Sequence, residues 1–116
     1  MRSTSLKYFF DIERACLRLE AFLDGKSRET YLQDALLQAA VERQFEIIGE
    51  ATAKLAKLDA AAAERIPEHR RLIAFRNVLI HGYAEVDHDI VWDLAQSRVA
   101  ALKAIAQAAM SEGPPP

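Results

Sequence analysis

The chain has 116 residues, of which 51% are hydrophobic and 28% charged, and its formal net charge at pH 7 is −2. This length favours one domain, the composition excludes disordered and fibrous proteins, and the single cysteine, Cys16, excludes an internal disulfide framework. No apolar run approaches the roughly twenty residues that cross a bilayer, and Asp11 and Glu13 interrupt the stretch where a signal peptide needs apolar residues, so we expect a cytoplasmic protein with no membrane segment.

The first predicted helix runs from Ser5 to Leu23. Its apolar residues alternate between spacings of three and four, as on one buried helix face, and they are Phe9, Ile12, Cys16, Leu19 and Leu23. Gly25 follows in the position that commonly ends a helix. Because Cys16 lies in this face, we expect it to be an inert core residue.

The second predicted helix is capped at Ser27 or Thr30 and continues to about Lys57, with a break near Asp34. Its apolar face is formed by Leu37, Val41, Ile48, Ala51 and Leu55. Gly49 lies in the middle of this helix, where glycine costs about 1 kcal/mol relative to alanine. We therefore expect another helix to approach closely at Gly49.

Two shorter helices are predicted next. Asp59 can cap an alanine-rich helix that ends near Ile66. Pro67 then suits the first turn of a fourth helix, because its missing N–H needs no acceptor there. The apolar face of this helix is formed by Leu72, Phe75 and Leu79. Gly82 ends it.

The last predicted helix is capped by Asp87 and reaches Met110. Its buried face is formed by Val91, Leu94, Ala95, Leu102 and Ile105. Trp92 is expected to serve packing or an interface rather than base stacking. Every apolar face is one-sided and the connections are short, so we predict an all-α, up-and-down bundle of four to five helices over residues 1–110. Residues 111–116, rich in proline, are expected to form a flexible tail.

Four side chains that could take part in catalysis lie between Arg76 and Tyr83, at the end of the fourth predicted helix. Asn77 and His81 are four residues apart, which places them about 40° apart around the helix axis, on one face. Arg76 lies about 140° from His81 around the axis, so its long side chain must reach toward the same place. Tyr83 follows the helix-ending glycine. This spacing alone does not distinguish a functional site from a cluster of surface residues at a helix end.

Other polar residues receive structural interpretations. A dimetal site in a helical bundle needs a Glu-x-x-His motif, which the sequence lacks, so we expect no bound metal. Glu46 and Glu50 are expected instead to form ion pairs with Arg43 or with an arginine of the polar segment. His69 and His88 are flanked by charged residues and belong to no apolar face, so both are expected at the surface.

Three stretches, in the same order along the chain, resemble the HepT-like branch of the HEPN superfamily. Residues 43–51, RQFEIIGEA, are similar to the second helix of that family. Arg76 and Asn77, followed by His81 and Tyr83, resemble its Arg-x4-His-x-Tyr signature. Residues 86–92, with Val-Asp followed by Ile-Val-Trp, are similar to the start of its last helix.

The resemblance implies a HEPN-like fold and a metal-independent endo- or exoribonuclease that acts as a toxin without a cofactor. Its catalytic residues would be Arg76, Asn77 and His81, and its substrate would be RNA, either tRNA or mRNA. The resemblance also implies a homodimer in which two copies of the motif face each other across a cleft. The implied antitoxin partner is a MntA-like minimal nucleotidyltransferase that attaches adenylate to Tyr83.

This chemistry is coherent with the residues present. RNA supplies its own nucleophile, the 2′-hydroxyl, so the protein needs to transfer protons and to neutralise charge. Histidine side chains exchange protons near neutral pH, which suits His81 for a general base or acid. Arg76 can pair bidentately with the scissile phosphate. One chain offers one such histidine and a dimer offers two.

Two alternatives remain open. The chain could be a non-catalytic helical module that docks a minimal nucleotidyltransferase, or a helical interaction protein of unrelated function. The complete set of Arg76, Asn77, His81 and Tyr83 favours the enzyme, because an adaptor would not need all four.

Overall fold

The computed structural model describes residues 2–113. Within this range the chain forms six α-helices and a short 3-10 turn, and no β-strand. In chain order they are α1 (Ser3–Leu23), α2 (Arg28–Gln33), α3 (Ala35–Leu58), α4 (Ala60–Ala63), α5 (His69–His81), the 3-10 turn (Tyr83–Glu85) and α6 (His88–Ser111). This architecture confirms the predicted all-α, up-and-down bundle. No helix in the described range combines the length and the apolar character needed to cross a bilayer.

The hydrophobic core lies mainly between α1, α3 and α6. The whole predicted face of α1 is buried, whereas Leu37 of α3 and Leu94 and Ile105 of α6 are half-buried at the edge of the core. Trp92 is buried, and its ring lies 5.6 Å from the ring of Tyr31, centroid to centroid. Its predicted packing role is therefore confirmed. Each large apolar side chain buried in this way contributes about 1.5–3 kcal/mol to the stability of the fold.

Side-chain caps begin four of the helices. Ser27, Asp34, Asp59 and Asp87 each accept a hydrogen bond from a backbone N–H in the first turn that follows them. Such N–H groups have no acceptor within the helix, so each cap stabilises its helix by about 1 kcal/mol. The backbone N–H of Asp34 also donates to the carbonyl oxygen of Tyr31. The predicted break near Asp34 is therefore confirmed, since Asp34 both ends α2 and begins α3.

Polar contacts between the helix ends fix the up-and-down order. The hydroxyl of Ser5, near the start of α1, donates to the carboxylate of Asp59 just after α3, at 2.9 Å. Arg28 of α2 pairs with Asp89, at 2.9 Å, and with Asp93 at the start of α6. Since α2 follows closely after α1, the end of α1 lies near the start of α6. α1 is therefore antiparallel to both α3 and α6.

The start of α5 differs from the expectation. Pro67 does not lie in the first turn, because the helix begins two residues later at His69. Glu68, between them, adopts the left-handed conformation with φ 55°. Its carboxylate pairs with Arg98 of α6 and with Arg71, at 3.2 Å from the latter. These contacts hold a backbone conformation that a helix interior cannot contain.

Other boundaries shift by small amounts, and α1 begins at Ser3 rather than Ser5. α4 ends at Ala63 rather than near Ile66, because the backbone N–H of Ile66 bonds back only three residues, which closes a tighter turn. α6 continues to Ser111, one residue beyond the predicted end. Of the predicted tail, residues 114–116 lie outside the described range.

Candidate functional site

The polar segment lies on α5, which packs against α3. Phe45 of α3 and Phe75 of α5 meet edge to face, with ring centroids 5.6 Å apart. At Gly49 the backbones come close: a Cβ there would clash with the Cβ of Arg76 and would lie 3.0 Å from the carbonyl oxygen of Leu72. The close helix contact predicted at Gly49 is confirmed. Because Gly49 has no side chain, the Cβ of Arg76 can pack directly against the backbone of α3.

Arg76 is anchored by two neighbours. Its guanidinium pairs with the carboxylate of Glu50 on α3, and its Nε donates to Oδ1 of Asn77 at 3.1 Å. The Arg76 side chain is only 20% exposed. Lys54, one turn after Glu50, places its Nζ 3.7 Å from the other oxygen of that carboxylate. The predicted ion pair between Glu50 and an arginine of the polar segment is confirmed, whereas Lys54 was not anticipated, although its spacing of four from Glu50 is typical of such a pair.

Asn77 and His81 lie together on the solvent face of α5. Both are exposed, whereas Leu72 and Leu79 on the opposite face are buried in the core. His81 is the last residue of α5. The structure therefore places the imidazole in contact with solvent, and it places the guanidinium of Arg76 at the edge of the α3 contact, bonded to Asn77.

Tyr83 lies just beyond this helix end. The backbone N–H of Gly82 donates to the carbonyl oxygen of Val78 at 2.8 Å and closes α5. Tyr83 then begins the 3-10 turn and is 74% exposed. Its side chain is therefore open to solvent.

The remaining predicted residues fall outside this group. Arg43 and Glu46 form the expected pair, at 3.7 Å. Cys16 is fully buried, and burial raises the pKa of its thiol from 9.0 to about 12, which fits an inert core residue. His69 is half-buried rather than at the open surface.

The expectation that His88 lies at the surface is wrong. His88 is half-buried, with its ring edge-on to Tyr31 at 6.4 Å between centroids and its Nδ1 3.7 Å from Glu42. Burial raises the pKa of Glu42, and the nearby His88 opposes that shift. Burial likewise raises the pKa of the Tyr31 hydroxyl. The sequence shows no sign of this cluster, because its residues come from α2, α3 and α6.

The arrangement combines three functions within two helical turns. The guanidinium of Arg76 can bind an anion, the amide of Asn77 can donate or accept a hydrogen bond, and the imidazole of His81 can transfer a proton. Nowhere in residues 2–113 do three or more His, Cys, Asp or Glu side chains converge as a candidate metal site.

Comparison with known proteins gives matches over most of the chain. A family model described as Ribonuclease HepT-like matches residues 12–109. A protein of Thermococcus cleftensis named "Probable ribonuclease HepT" is 32% identical over 103 residues, which cover 89% of this chain and 93% of the relative. A protein of Caldanaerobacter subterraneus named "Putative RNase" is 32% identical over 90 residues, 78% of this chain and 80% of the relative. No solved structure is significantly similar.

Proposed function

The chain belongs to the HepT-like ribonuclease family, and from this premise we propose that it is a cytoplasmic, metal-independent toxin that cleaves RNA. Arg76, Asn77 and His81 form its active site at the cleft of a homodimer. A MntA-like nucleotidyltransferase is its antitoxin and neutralises it by adenylylation of Tyr83.

One observation carries the assignment of the active site. Glu50 and Asn77 fix the guanidinium of Arg76 beside the exposed face that bears His81. A guanidinium held in this way before the substrate binds stabilises charge that develops on a phosphate without reorganising during the reaction. The reaction also needs a group that transfers protons, and His81 supplies one on the adjacent turn of the same helix.

The proposed reaction uses the nucleophile of the substrate. The 2′-oxygen of a ribose attacks the adjacent phosphorus and gives its proton to a neutral His81. The bond from phosphorus to the 5′-oxygen breaks, and that oxygen takes a proton from the protonated His81 of the partner subunit, leaving a 2′,3′-cyclic phosphate. Arg76 neutralises the phosphate oxygens throughout. A base and an acid are needed at once, which is the chemical reason for two copies of the motif.

The test is cleavage of tRNA and mRNA by the purified protein. His81→Ala and Arg76→Ala should each lower the cleavage rate by at least about a hundredfold, the usual scale for a proton-transfer group or a charge-stabilising donor. His69→Ala and Arg70→Ala, which change the same residue types on the same helix, should cleave at the wild-type rate. A chelator should leave cleavage unchanged.

Full cleavage by folded His81→Ala protein would show that the active site is elsewhere. Absence of cleavage by the wild-type protein, together with binding of a nucleotidyltransferase encoded beside its gene, would favour the docking module instead. Circular dichroism of each variant verifies that its helices are intact.

A further inference from the structure

A groove of about 290 Å³ runs between α1 and α3, beside the Arg76 site. Lys7, Tyr8 and Asp11 line it from α1, and Arg43, Glu50 and Lys54 line it from α3. Three cations, two carboxylates and an aromatic ring thus surround one open depression. None of this set except Glu50 takes part in anchoring Arg76.

A ridge of side chains on α3 separates the groove from Arg76. Arg43, Ile47, Glu50 and Lys54 follow one another at spacings of four, three and four, so they share one face of the helix. Glu50 stands on this ridge and is 51% exposed. One of its carboxylate oxygens pairs with Arg76, and the other lies 3.7 Å from Lys54 in the groove. The groove and the guanidinium are therefore separated by the width of one side chain.

The lining of the groove carries one more cation than carboxylate, since Lys7, Arg43 and Lys54 stand against Asp11 and Glu50. Glu50 is already engaged by Arg76, and Arg43 lies near Glu46 at 3.7 Å with 67% of its side chain exposed. Lys7 is exposed and Tyr8 is half-buried at the edge of the core, and the Nζ of Lys7 lies 5.8 Å from the centre of the Tyr8 ring. A basic rim around an aromatic face is the combination that single-stranded nucleic acids bind, because the rim attracts phosphates and the ring stacks on a base.

We propose that this groove between α1 and α3 binds a nucleotide of the RNA strand next to the one that is cut. Tyr8 stacks on its base, Lys7, Arg43 and Lys54 contact its phosphates, and Asp11 accepts hydrogen bonds from the base or the ribose. The inference rests on the proposed ribonuclease function and extends it, since it names the path of the strand from Arg76 across the α3 ridge to α1.

The experiment uses the α1 residues, because Lys54 lies near the carboxylate of Glu50 that binds Arg76, and Arg43 pairs with Glu46. Binding is measured by fluorescence anisotropy with the full chain and a labelled single-stranded 2′-O-methyl RNA of about twelve nucleotides, which lacks the nucleophilic hydroxyl. Tyr8→Leu should weaken binding by about fivefold to a hundredfold through lost stacking, and Tyr8→Phe should bind as the wild type does. Lys7→Ala should weaken binding and reduce the slope of log Kd against log salt by about 0.7, the value for one phosphate contact.

Lys26→Ala is the matched control, because Lys26 is an exposed lysine beyond the other end of α1. It should change neither the Kd nor its salt dependence beyond a small general loss of attraction. Equal Kd values for the wild type, Lys7→Ala, Tyr8→Leu and Lys26→Ala would overturn the groove as an RNA site and leave the ribonuclease proposal standing. Failure of the wild-type protein both to bind this probe and to cleave RNA would overturn the proposed function, and this inference with it.

Discussion

Glu50 binds the guanidinium of Arg76 and lies near the ammonium of Lys54, so the position of Arg76 is determined before any substrate arrives. A half-exposed ion pair of this kind contributes only about 0–1 kcal/mol to stability. The pair therefore matters more for the orientation of Arg76 than for the stability of the protein. It keeps a long, flexible side chain in one orientation and spares the reaction the entropy of ordering it.

Tyr83 is the residue at which we expect covalent control. Its exposed side chain, just past the helix that bears His81, is accessible to a nucleotidyltransferase. Adenylate attached there would bring a phosphate near Arg76 and occupy the group that otherwise binds the RNA backbone. Mass spectrometry after incubation with the partner enzyme and ATP should find adenylate on the peptide that contains Tyr83.

Tyr8→Phe is a suitable control for Tyr83→Phe, since both remove one tyrosine hydroxyl. The partner should silence Tyr8→Phe protein and leave Tyr83→Phe protein active. If the active partner still silences Tyr83→Phe protein fully, covalent control at this residue is wrong, and sequestration becomes the better explanation.

Cys16 should make the stability of the protein depend on alkaline pH. The fold raises the pKa of its thiol from 9.0 to about 12, so above pH 9 the unfolded chain loses a proton that the folded chain keeps. Stability should therefore fall as the pH rises from about 9 toward 12, and this contribution should be fully present below pH 9. Urea unfolding at pH 8 and pH 10.5 measures it. The loss should be larger in the wild type than in Cys16→Ala, in which every other titrating group is unchanged.

Among the elements, the contact between α3 and α5 determines the geometry of the site. Gly49 allows the two backbones to approach, and Phe45 packs on Phe75 beside it. Arg76 starts at this contact and reaches back to Glu50 on the facing helix. Because the guanidinium of Arg76 is bound to Glu50 on α3, a change in the distance between the two helices moves that guanidinium relative to Asn77 and His81.

The variant Gly49→Ala tests the importance of this close contact. Two effects predict opposite changes in the stability of the protein. Helix propensity alone predicts that alanine stabilises the protein by about 1 kcal/mol. The added Cβ would instead clash with the Cβ of Arg76 and crowd the backbone of Leu72, so we expect a loss of about 1–3 kcal/mol and reduced RNA cleavage. Thermal unfolding and a cleavage assay on the same preparation provide the measurement. A more stable and fully active Gly49→Ala protein would contradict this view of the contact.

The elements that the sequence predicts well are those whose causes are local. The caps at Asp59 and Asp87 depend on side chains bonding to N–H groups within three residues, so the sequence alone predicts them. The start of α5 could not be predicted, because no local pattern indicates the left-handed conformation of Glu68, whose side chain pairs with Arg98, thirty residues later.

The candidate site shows the same division. The helical spacing predicts that Asn77 and His81 share a face, and Gly49 signals a close helix contact. The sequence predicts ion pairs for Glu46 and Glu50 but does not say which arginine each would bind. That choice depends on how α3 lies against α5, which local patterns do not encode. The cluster of Tyr31, Glu42 and His88 is missed for the same reason.

At the scale of the whole molecule, the surface around the site fits an interface between two chains. Val78 and Ile80 are exposed on α5, at 45% and 43%, on either side of the face that bears Asn77 and His81. A second copy of the chain could cover these exposed apolar side chains. Burial of these two side chains against a second copy would bring the two motifs together.

We therefore expect a dimer in solution. Light scattering at micromolar concentration should give twice the chain mass of 13.0 kDa. Ile80→Lys should shift the mass toward one chain and lower RNA cleavage, because a charge buried without a partner is strongly unfavourable. Leu17→Lys, an equivalent change at an exposed leucine of α1, should leave the dimer intact. A monomeric wild-type protein with full activity would contradict the proposed assembly.

The placement of α5 in the bundle also has a consequence for local unfolding. α1, α3 and α6 share the main core, whereas α5 packs chiefly against α3. Proteins open in cooperative units, and a unit with fewer buried contacts opens at a lower free energy than the whole fold. We therefore expect the amide hydrogens of the helix that bears His81 to exchange through partial opening while the other three long helices stay closed. A second subunit seated on α5 would raise the free energy of that opening, so that order in this helix and association of the proposed dimer would become one linked equilibrium.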